Sequence, residues 1–209
     1  MSFDDTSLRI VILSGPIGSG KSLLCENLNN RHAARTIKTR DLIKHQMPRV
    51  KDERRALQRA GERLDSADGG AWVKNALSRF IEAQQSGSLA TGLFVVDSVR
   101  IPGQVKAIRE AFGSAVHHIH LTAADEELER RYLSRGTKTQ ELTTYAEVKR
   151  SRTEKNVGNL AKLADIVVAT DRCTAEAVLV RATALLGLYP RATAPLVDVL
   201  IGGQYGSEG

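Results

Sequence analysis

The chain has 209 residues, of which 42% are hydrophobic and 26% are charged. These proportions fit a globular α/β domain with a sizeable core and exclude an intrinsically disordered chain. We find no apolar run long enough to span a membrane, and the N-terminal residues lack the basic-then-apolar order of a signal peptide. Cys25 and Cys173 form no metal-binding pattern and suggest no disulfide framework, so we expect a cytoplasmic protein.

The net charge of +6 raises nucleic acid as a partner. However, the basic residues alternate with Asp and Glu along the chain, and only 4% of residues are aromatic, which leaves few side chains for stacking on bases. A pocket that binds several phosphates also needs arginines. We therefore expect a small-molecule nucleotide as the partner, and neither nucleic acid nor a membrane.

Apolar strands and helical segments alternate along the chain. The predicted strands are Leu8–Leu13, Ala34–Lys38, Leu93–Asp97, Ala115–Leu121 and Asp165–Ala169. The predicted helices are Gly20–Arg31, a broken helical region from Asp41 to about Gln85, Pro102–Phe112, Thr122–Arg135, Thr144–Ala161 and Thr174–Leu186. A capping box from Thr122 to Asp125 is predicted to start the fourth of these. This order predicts an α/β fold: a five-stranded parallel sheet with helices on both faces.

The first strand leads into a glycine-rich motif. Residues 15–22 read GPIGSGKS, which fits the phosphate-binding pattern G-x-x-x-x-G-K-[ST] between a strand and a helix. A glycine-rich turn without a ligand is the alternative. In the phosphate-binding reading, Lys21 reaches the β- and γ-phosphates and Ser22 binds Mg²⁺. We predict that ATP is bound by backbone and side-chain groups of Gly15, Gly18, Ser19, Gly20, Lys21 and Ser22.

The third predicted strand ends at Asp97, within the segment VVDSVR. A carboxylate at the carboxyl end of a strand beside a phosphate loop can bind Mg²⁺, directly or through water. A turn or helix cap is the alternative. Arg100 follows three residues later, where its guanidinium could hold the phosphate of an acceptor.

Polar residues also follow the second strand. A small polar group and an arginine at the carboxyl end of a strand suit a second, phosphate-bearing substrate, so Thr39 and Arg40 are predicted substrate residues together with Arg100. A helix N-terminus explains Thr39 and Asp41 equally well.

Arg131 and Arg135 lie four residues apart, so they share one face of a predicted helix. Two guanidinium groups on one face can clamp a transferring phosphoryl group. A solvated face paired with Asp125 and Glu127 is the alternative that spacing alone favours.

His118 and His120 lie on one face of the fourth predicted strand because strand side chains alternate. Two histidines offer too few ligands for a metal ion, and no carboxylate cluster is near them in the sequence. We therefore expect no metal at this pair.

Taken in order, these landmarks resemble the nucleoside monophosphate kinase group over residues 8–187: the phosphate loop, TRDLIK at 39–44, VVDSVR at 95–100 and the R-x-x-x-R pair. The resemblance implies a P-loop kinase-type fold and a monophosphate site lined by residues 39–44. It also implies that Arg100 binds the acceptor phosphate and that Arg131 and Arg135 border a mobile lid.

Two further segments carry the resemblance. Residues 57–77 are similar to viral-type deoxynucleoside monophosphate kinases. Residues 159–171 resemble the final strand of those kinases and of dephospho-CoA kinases.

The C-terminal residues have a resemblance of their own. VLIGGQYGSEG at 199–209 is similar to the opening of adenylosuccinate synthetases, with Tyr205 in place of a Trp and Ser207 in place of the catalytic Asp. The proline-containing stretch 188–195 has the composition of a linker. We therefore expect a kinase domain at 1–187, a linker at 188–195 and the truncated start of a synthetase-like domain at 196–209.

From the residues and the resemblance together we expect Mg²⁺-dependent transfer of the γ-phosphoryl group of ATP to a (deoxy)nucleoside monophosphate. Its catalytic residues would be Lys21, Arg100, Arg131 and Arg135. A kinase for dephospho-CoA or another small molecule is one alternative. A regulatory nucleotide-binding module of the attached synthetase is another. Arginines that converge on one pocket favour a kinase.

Overall fold

The computed structural model describes residues 8–85, 92–134, 144–150 and 152–188. Its strands are β1 (Arg9–Ser14), β2 (Arg35–Lys38), β3 (Leu93–Asp97), β4 (Val116–Thr122) and β5 (Ile166–Ala169). They form one sheet in the order β2-β3-β1-β4-β5, and every pairing is parallel. The predicted five-stranded parallel sheet is confirmed.

Helices connect the strands. They are α1 (Lys21–His32), α2 (Thr39–Gln46), α3 (Arg54–Asp68), α4 (Ala71–Gln85), α5 (Pro102–Phe112), α6 (Asp125–Leu133), α7 (Tyr145–Arg150), α8 (Arg152–Val157) and α9 (Ala175–Leu185). Short 3₁₀ turns occupy Gly113–Ala115 and Gly158–Leu163. The broken helical region predicted before β3 is thus three separate helices.

The two faces of the sheet bury different sets of apolar side chains. Ile10 and Ile12 of β1 pack with residues of α2 to α5, whereas Val11 and Leu13 pack with α1 and α9. All four side chains are fully buried because a central parallel strand is covered on both faces.

The start of α6 differs from the sequence prediction. Thr122 is the last residue of β4, and Ala124 occupies the N-cap position of α6. The carbonyl of Thr122 accepts a hydrogen bond from Thr170 N at 2.8 Å, beside the β4–β5 ladder. Strand pairing therefore holds Thr122 in an extended conformation, and the predicted capping box from Thr122 is wrong. The last helix, α9, does have a side-chain cap, since the Thr174 hydroxyl accepts from Ala177 N at 3.2 Å.

In the sheet, β1 lies between β3 and β4. Strands β2 and β3 lie on one side of β1, and β4 and β5 lie on the other, so the order of strands reverses at β1. The loops after β1 and β3 therefore lie at the same edge, outside the carboxyl ends of the strands. Ligands of open α/β sheets bind at such a position.

Candidate active site

The loop after β1 needs glycine where it approaches other backbone. Gly15 has φ of 138°, and a Cβ there would lie 2.1 Å from the Leu121 carbonyl oxygen. Gly18 has φ of 86°, and a Cβ there would lie 2.9 Å from the Leu128 carbonyl oxygen. Both φ values lie in the region that side chains disfavour. The phosphate loop, residues 15–22, is thus packed directly onto the end of β4 and onto α6.

Lys21 is folded back over the phosphate loop. Its Nζ donates to the carbonyl oxygens of Gly15 at 2.6 Å and Pro16 at 2.9 Å, and it lies 3.4 Å from Ser19 Oγ. Only 9% of the residue is exposed. Since α1 begins at Lys21, its positive N-terminal end faces the same loop. The ammonium group and the helix end together make the loop a strong anion site.

Three buried polar side chains support the phosphate loop from below. Ser14 Oγ lies 2.7 Å from His118 Nε2 and 2.8 Å from His120 Nδ1, and His118 Nδ1 lies 3.2 Å from the Leu163 carbonyl oxygen. A carbonyl can only accept, so His118 Nδ1 donates to Leu163 and His118 Nε2 accepts from the Ser14 hydroxyl. The hydroxyl oxygen then accepts from His120 Nδ1, and His120 Nε2 is left as an acceptor.

This arrangement needs neutral imidazoles. Burial lowers the pKa of His118 to about 4, although its hydrogen bond to Leu163 opposes the shift. Burial also lowers the pKa of His120 to about 4, and the neighbouring His118 adds to the effect. The pair therefore acts as a structural support of the phosphate loop through its hydrogen bonds to Ser14. Among the described residues there is no group of three or more His, Cys, Asp or Glu that could hold a metal ion.

Arg100 reaches the phosphate loop through a carboxylate. Its Nη1 donates to Glu154 Oε1 at 2.7 Å, and Glu154 Oε2 accepts from the Ile17 backbone N–H at 3.2 Å. The Glu154 side chain is 5% exposed and that of Arg100 33%. A single carboxylate of α8 thus spans the gap between the loop after β3 and the phosphate loop. Sequence reasoning did not identify Glu154, because nothing in its local sequence separates it from the other charged residues of this helix.

A second set of hydrogen bonds fixes the backbone of Arg100. Gln104 Oε1 accepts from Arg100 N at 2.9 Å, and Gln104 Nε2 donates to Asp65 Oδ1 at 2.8 Å. Trp72 Nε1 donates to the same oxygen of Asp65 at 2.8 Å. Burial raises the pKa of the Asp65 carboxyl above its usual range. Helices α3, α4 and α5 therefore meet directly behind Arg100, a link that sequence analysis also missed.

Asp97 ends β3 at the same edge of the sheet and is 9% exposed. Ser98 Oγ donates to its Oδ1 at 2.9 Å, and Ser98 has φ of 69°, which turns the chain sharply after the strand. Burial raises the pKa of the Cys25 thiol of α1 to about 12, with the charge of Asp97 a second cause. One carboxylate and the exposed hydroxyl of Ser22 are a donor set that fits Mg²⁺, which keeps several waters and takes its other ligands from phosphates.

Thr39 and Arg40 begin α2, but their surroundings differ. Thr39 Oγ1 is 3.5 Å from the Ser98 carbonyl oxygen, which places it beside the loop after β3. Arg40 instead joins Lys44 in an exposed ion pair with Asp52, whose pKa these two cations hold below its usual range. The structure thus brings Thr39 toward Arg100 and directs Arg40 to a separate cluster.

Arg131 lies on the opposite side of the phosphate loop. Its guanidinium donates to Thr170 Oγ1 at 2.8 Å, to the Thr170 carbonyl at 3.0 Å and to the Gly18 carbonyl at 3.3 Å. It also pairs with Glu127 at 2.6 Å, the partner that the solvated-face alternative named. The ion pair with Glu127 fits the solvated-face alternative, and the contact with the Gly18 carbonyl places Arg131 beside the phosphate loop. Arg135, predicted to act with it, lies outside the described residues.

A cavity of about 320 Å³ opens beside the phosphate loop, under α6, α7 and α8. Pro16 and Ile17 form its edge toward the loop, and Glu154 separates it from Arg100. His120, Tyr145 and the ion pair of Lys149 with Asp125 contribute polar groups to its lining, and apolar side chains form much of the remainder. Its size falls at the lower end for small-molecule sites.

Comparison with known families gives this site a context. A family described as an AAA domain matches residues 11–162. The chain belongs to this AAA domain family. The match begins within β1 and includes the phosphate loop, Asp97, Arg100 and Glu154. No curated protein matches the chain.

Solved structures with the same fold as this AAA domain include several kinases. A sugar kinase from Janibacter sp. HTCC2649 aligns with a TM-score of 0.58 at 17% identity, covering 88% of this chain and 97% of the other. Shikimate kinase from Bacteroides thetaiotaomicron aligns with a TM-score of 0.53 at 13% identity, covering 87% and 99%. The Mycobacterium tuberculosis APS kinase in complex with AMPPNP and APS aligns with a TM-score of 0.52 at 14% identity, covering 86% and 98%.

At these identities the likeness shows the fold, which is that of a P-loop kinase. Together with the family match it confirms the coarser part of the sequence prediction, a P-loop kinase-like α/β fold. No helix in the described ranges has the length and apolar character that crossing a bilayer requires.

Proposed function

We propose that the protein transfers the γ-phosphoryl group of ATP to a (deoxy)nucleoside monophosphate. The observation that carries the proposal is the Arg100–Glu154–Ile17 bridge. In this bridge the Glu154 carboxylate accepts hydrogen bonds both from the Arg100 guanidinium and from a backbone N–H of the phosphate loop. An arginine at that distance can hold the anionic group of an acceptor next to the γ-phosphate of ATP.

The donor half of the reaction belongs to the phosphate loop. Backbone N–H groups of the loop and the end of α1 bind the β- and γ-phosphates, and Lys21 neutralises charge that develops between them. Lys21 is already held over the loop by two carbonyl oxygens, so little ordering is needed for this role. Ser22 and Asp97 would hold Mg²⁺, which supplies further neutralisation of the phosphate oxygens when bound.

The acceptor half is proposed to lie beside Arg100, on the side of β2 and β3. Thr39 lies next to the loop that carries Arg100 and can contribute a hydroxyl to the acceptor phosphate. Arg131 contacts the carbonyl of Gly18 and is proposed to hold the donor nucleotide from the other side, with Arg135 as its partner. That Arg100 and Arg131 both reach the phosphate loop supports a kinase over a regulatory module.

A small molecule with a hydroxyl acceptor, such as dephospho-CoA, is a second candidate. The cavity beside Ile17 favours a small hydroxyl compound in this role, because His120 Nε2 and the Glu154 carboxylate are acceptors that could receive hydrogen bonds from its hydroxyl groups. In that case the acceptor would lie on the side of β4 and β5.

We also propose that residues 196–209 begin an adenylosuccinate synthetase-like domain. The proposal rests on the sequence GGQYGSEG alone, since these residues lie outside the described part of the chain. The kinase-like domain would then act in the same purine-nucleotide chemistry as the domain that follows it.

An acceptor screen tests the proposed function. Formation of ADP from Mg·ATP is measured with each common nucleoside and deoxynucleoside monophosphate, with the matching nucleosides, and with dephospho-CoA and shikimate. We expect ADP formation only with monophosphates, and at least about a hundredfold slower with Lys21→Ala. A preference for an unphosphorylated hydroxyl compound would replace this function with the second candidate. Nucleotide binding without transfer to any acceptor would favour the regulatory module.

A further inference from the structure

Glu154 accepts hydrogen bonds from two groups that the proposed reaction would use to bind phosphates. The Ile17 N–H belongs to the phosphate loop, whose N–H groups bind phosphate oxygens. Arg100 is the proposed ligand of the acceptor phosphate. Each of these donors is engaged by one oxygen of the same carboxylate.

Geometry and charge make these contacts exclusive. The contact between Glu154 and Ile17 fills the direction in which that N–H would meet a phosphate oxygen. The side chain is 5% exposed, so water screens it poorly from a neighbouring anion. A triphosphate in the loop and a carboxylate on Ile17 would repel each other in a setting where such repulsion is strong.

We propose that Glu154 competes with both phosphates and thereby couples the two substrate sites. A triphosphate that takes the Ile17 N–H displaces the Glu154 carboxylate, and the displaced carboxylate no longer holds Arg100. An acceptor phosphate that takes Arg100 displaces the same carboxylate from the other side. Each substrate therefore removes a competitor of the other, and the coupling is reciprocal.

The triphosphate half of this proposal needs only the phosphate loop, whereas the acceptor half rests on the proposed function. Glu154 would be a positioning residue, since it acts through Arg100 and Ile17. A purely structural carboxylate behaves differently. Its neutralisation would weaken ligand binding or leave it unchanged, whereas removal of a competitor strengthens binding.

The test measures binding of Mg·AMPPNP, an ATP analogue that is not hydrolysed, by calorimetry. We expect Glu154→Gln to lower its Kd about fivefold, because the neutral amide competes poorly for the N–H and does not repel the phosphates. Glu176→Gln is the matched control. It removes the same charge from an exposed pair with Arg31, remote from the loop, and should leave Kd unchanged.

The second measurement concerns coupling. In the wild type, saturating Mg·AMPPNP should tighten binding of AMP, or of the best acceptor from the screen, by about fivefold. In Glu154→Gln this tightening should largely disappear. Glu154→Asp keeps the charge but is too short to span both donors, and it should resemble Glu154→Gln if the bridge is what matters.

Weaker or unchanged Mg·AMPPNP binding by both Glu154 variants, once their folding is verified by circular dichroism, would overturn the proposal. Tighter Mg·AMPPNP binding without any monophosphate acceptor in the screen would reject the proposed function and leave the competition at the loop standing. Monophosphate transfer with equal coupling in wild type and Glu154→Gln would support the proposed function and reject the competition by Glu154.

Discussion

The phosphate loop and the acceptor side of the site are held together in different ways. In the loop, Lys21 donates to Gly15, Pro16 and Ser19, which lie two to six residues away in the chain. On the acceptor side, Arg100 and Glu154 are 54 residues apart, and Thr39 and Ser98 are 59 apart. A loop built from backbone and its own lysine is specified locally. A cation that must face it depends on helices from distant parts of the chain.

The acceptor-side cations also have anionic partners within the protein. Arg100 pairs with Glu154, and Arg40 and Lys44 pair with Asp52. The partner of Arg100 is buried, whereas Asp52 is exposed and screened by water. Changes on the donor side should therefore act on catalysis directly. Those on the acceptor side should depend on which partner each cation already has.

The largest effect is expected on the donor side. Lys21→Ala should lower the turnover of Mg·ATP by about a hundredfold or more, on the order of 3 kcal/mol of transition-state stabilisation, because the ammonium neutralises the transferring phosphates. Steady-state kinetics measure it. Lys106→Ala, an exposed lysine paired with Glu110, is the control and should retain full activity. Retention of most activity by Lys21→Ala with intact ATP binding would remove Lys21 from the mechanism.

The buried pair of His118 and His120 predicts that the free energy of unfolding depends on pH. Because folding lowers the pKa of His118 and His120 from 6.5 to about 4, the unfolded state binds more protons between these values. The stabilisation is present above pH 6.5 and is lost as the pH falls toward 4, by on the order of several kcal/mol for the pair. Urea unfolding from pH 4.5 to 7.5 measures it.

Two variants sharpen that measurement. His118→Gln can keep both hydrogen bonds without a titrating ring, so its free energy of unfolding should vary less with pH than that of the wild type. His45→Gln, at an exposed position, should keep the wild-type profile. Equal slopes for wild type and His118→Gln would show that the histidine pair does not titrate with unfolding.

Arg100 and Arg40 give the most direct contrast within the acceptor side. Arg100→Ala should raise the KM for the monophosphate about tenfold, and that for ATP much less, since it removes a charge-assisted hydrogen bond to the acceptor phosphate. Arg40→Ala should change either KM by less than about threefold, because its guanidinium belongs to an exposed cluster with Asp52. A larger effect at Arg40 than at Arg100 would place the acceptor beside α2 instead.

The smallest effect is expected from residues 190–209, which we propose to lie outside the kinase-like domain. Deletion of residues 190–209 should leave the melting temperature nearly unchanged, because few buried contacts are lost if this segment belongs to another domain. Differential scanning calorimetry of the shortened chain measures it. A loss of several kcal/mol would mean that the segment completes the first domain, and the proposed division of the chain would be wrong.

Features that depend on neighbouring residues could be predicted from the sequence, whereas those that depend on distant residues could not. The strands were predictable as short apolar runs, and the phosphate loop as a contiguous motif, because both depend on neighbouring residues. The capping box at Thr122 was wrong because its outcome depended on pairing with Thr170, 48 residues away. Glu154 could not be identified because its partners Ile17 and Arg100 lie 137 and 54 residues away. The roles of Arg131 and Arg135 stay predictions.

The most direct test of the central claim follows the phosphoryl group itself. ATP that is radiolabelled at the γ-phosphate is incubated with the protein, Mg²⁺ and the monophosphate that gave the most ADP in the screen. The products are then separated by chromatography. We predict that the label appears in the nucleoside diphosphate in proportion to the ADP formed, and that Lys21→Ala slows its appearance about a hundredfold or more. Label released as inorganic phosphate, with the monophosphate unchanged, would contradict phosphoryl transfer to this class of acceptor.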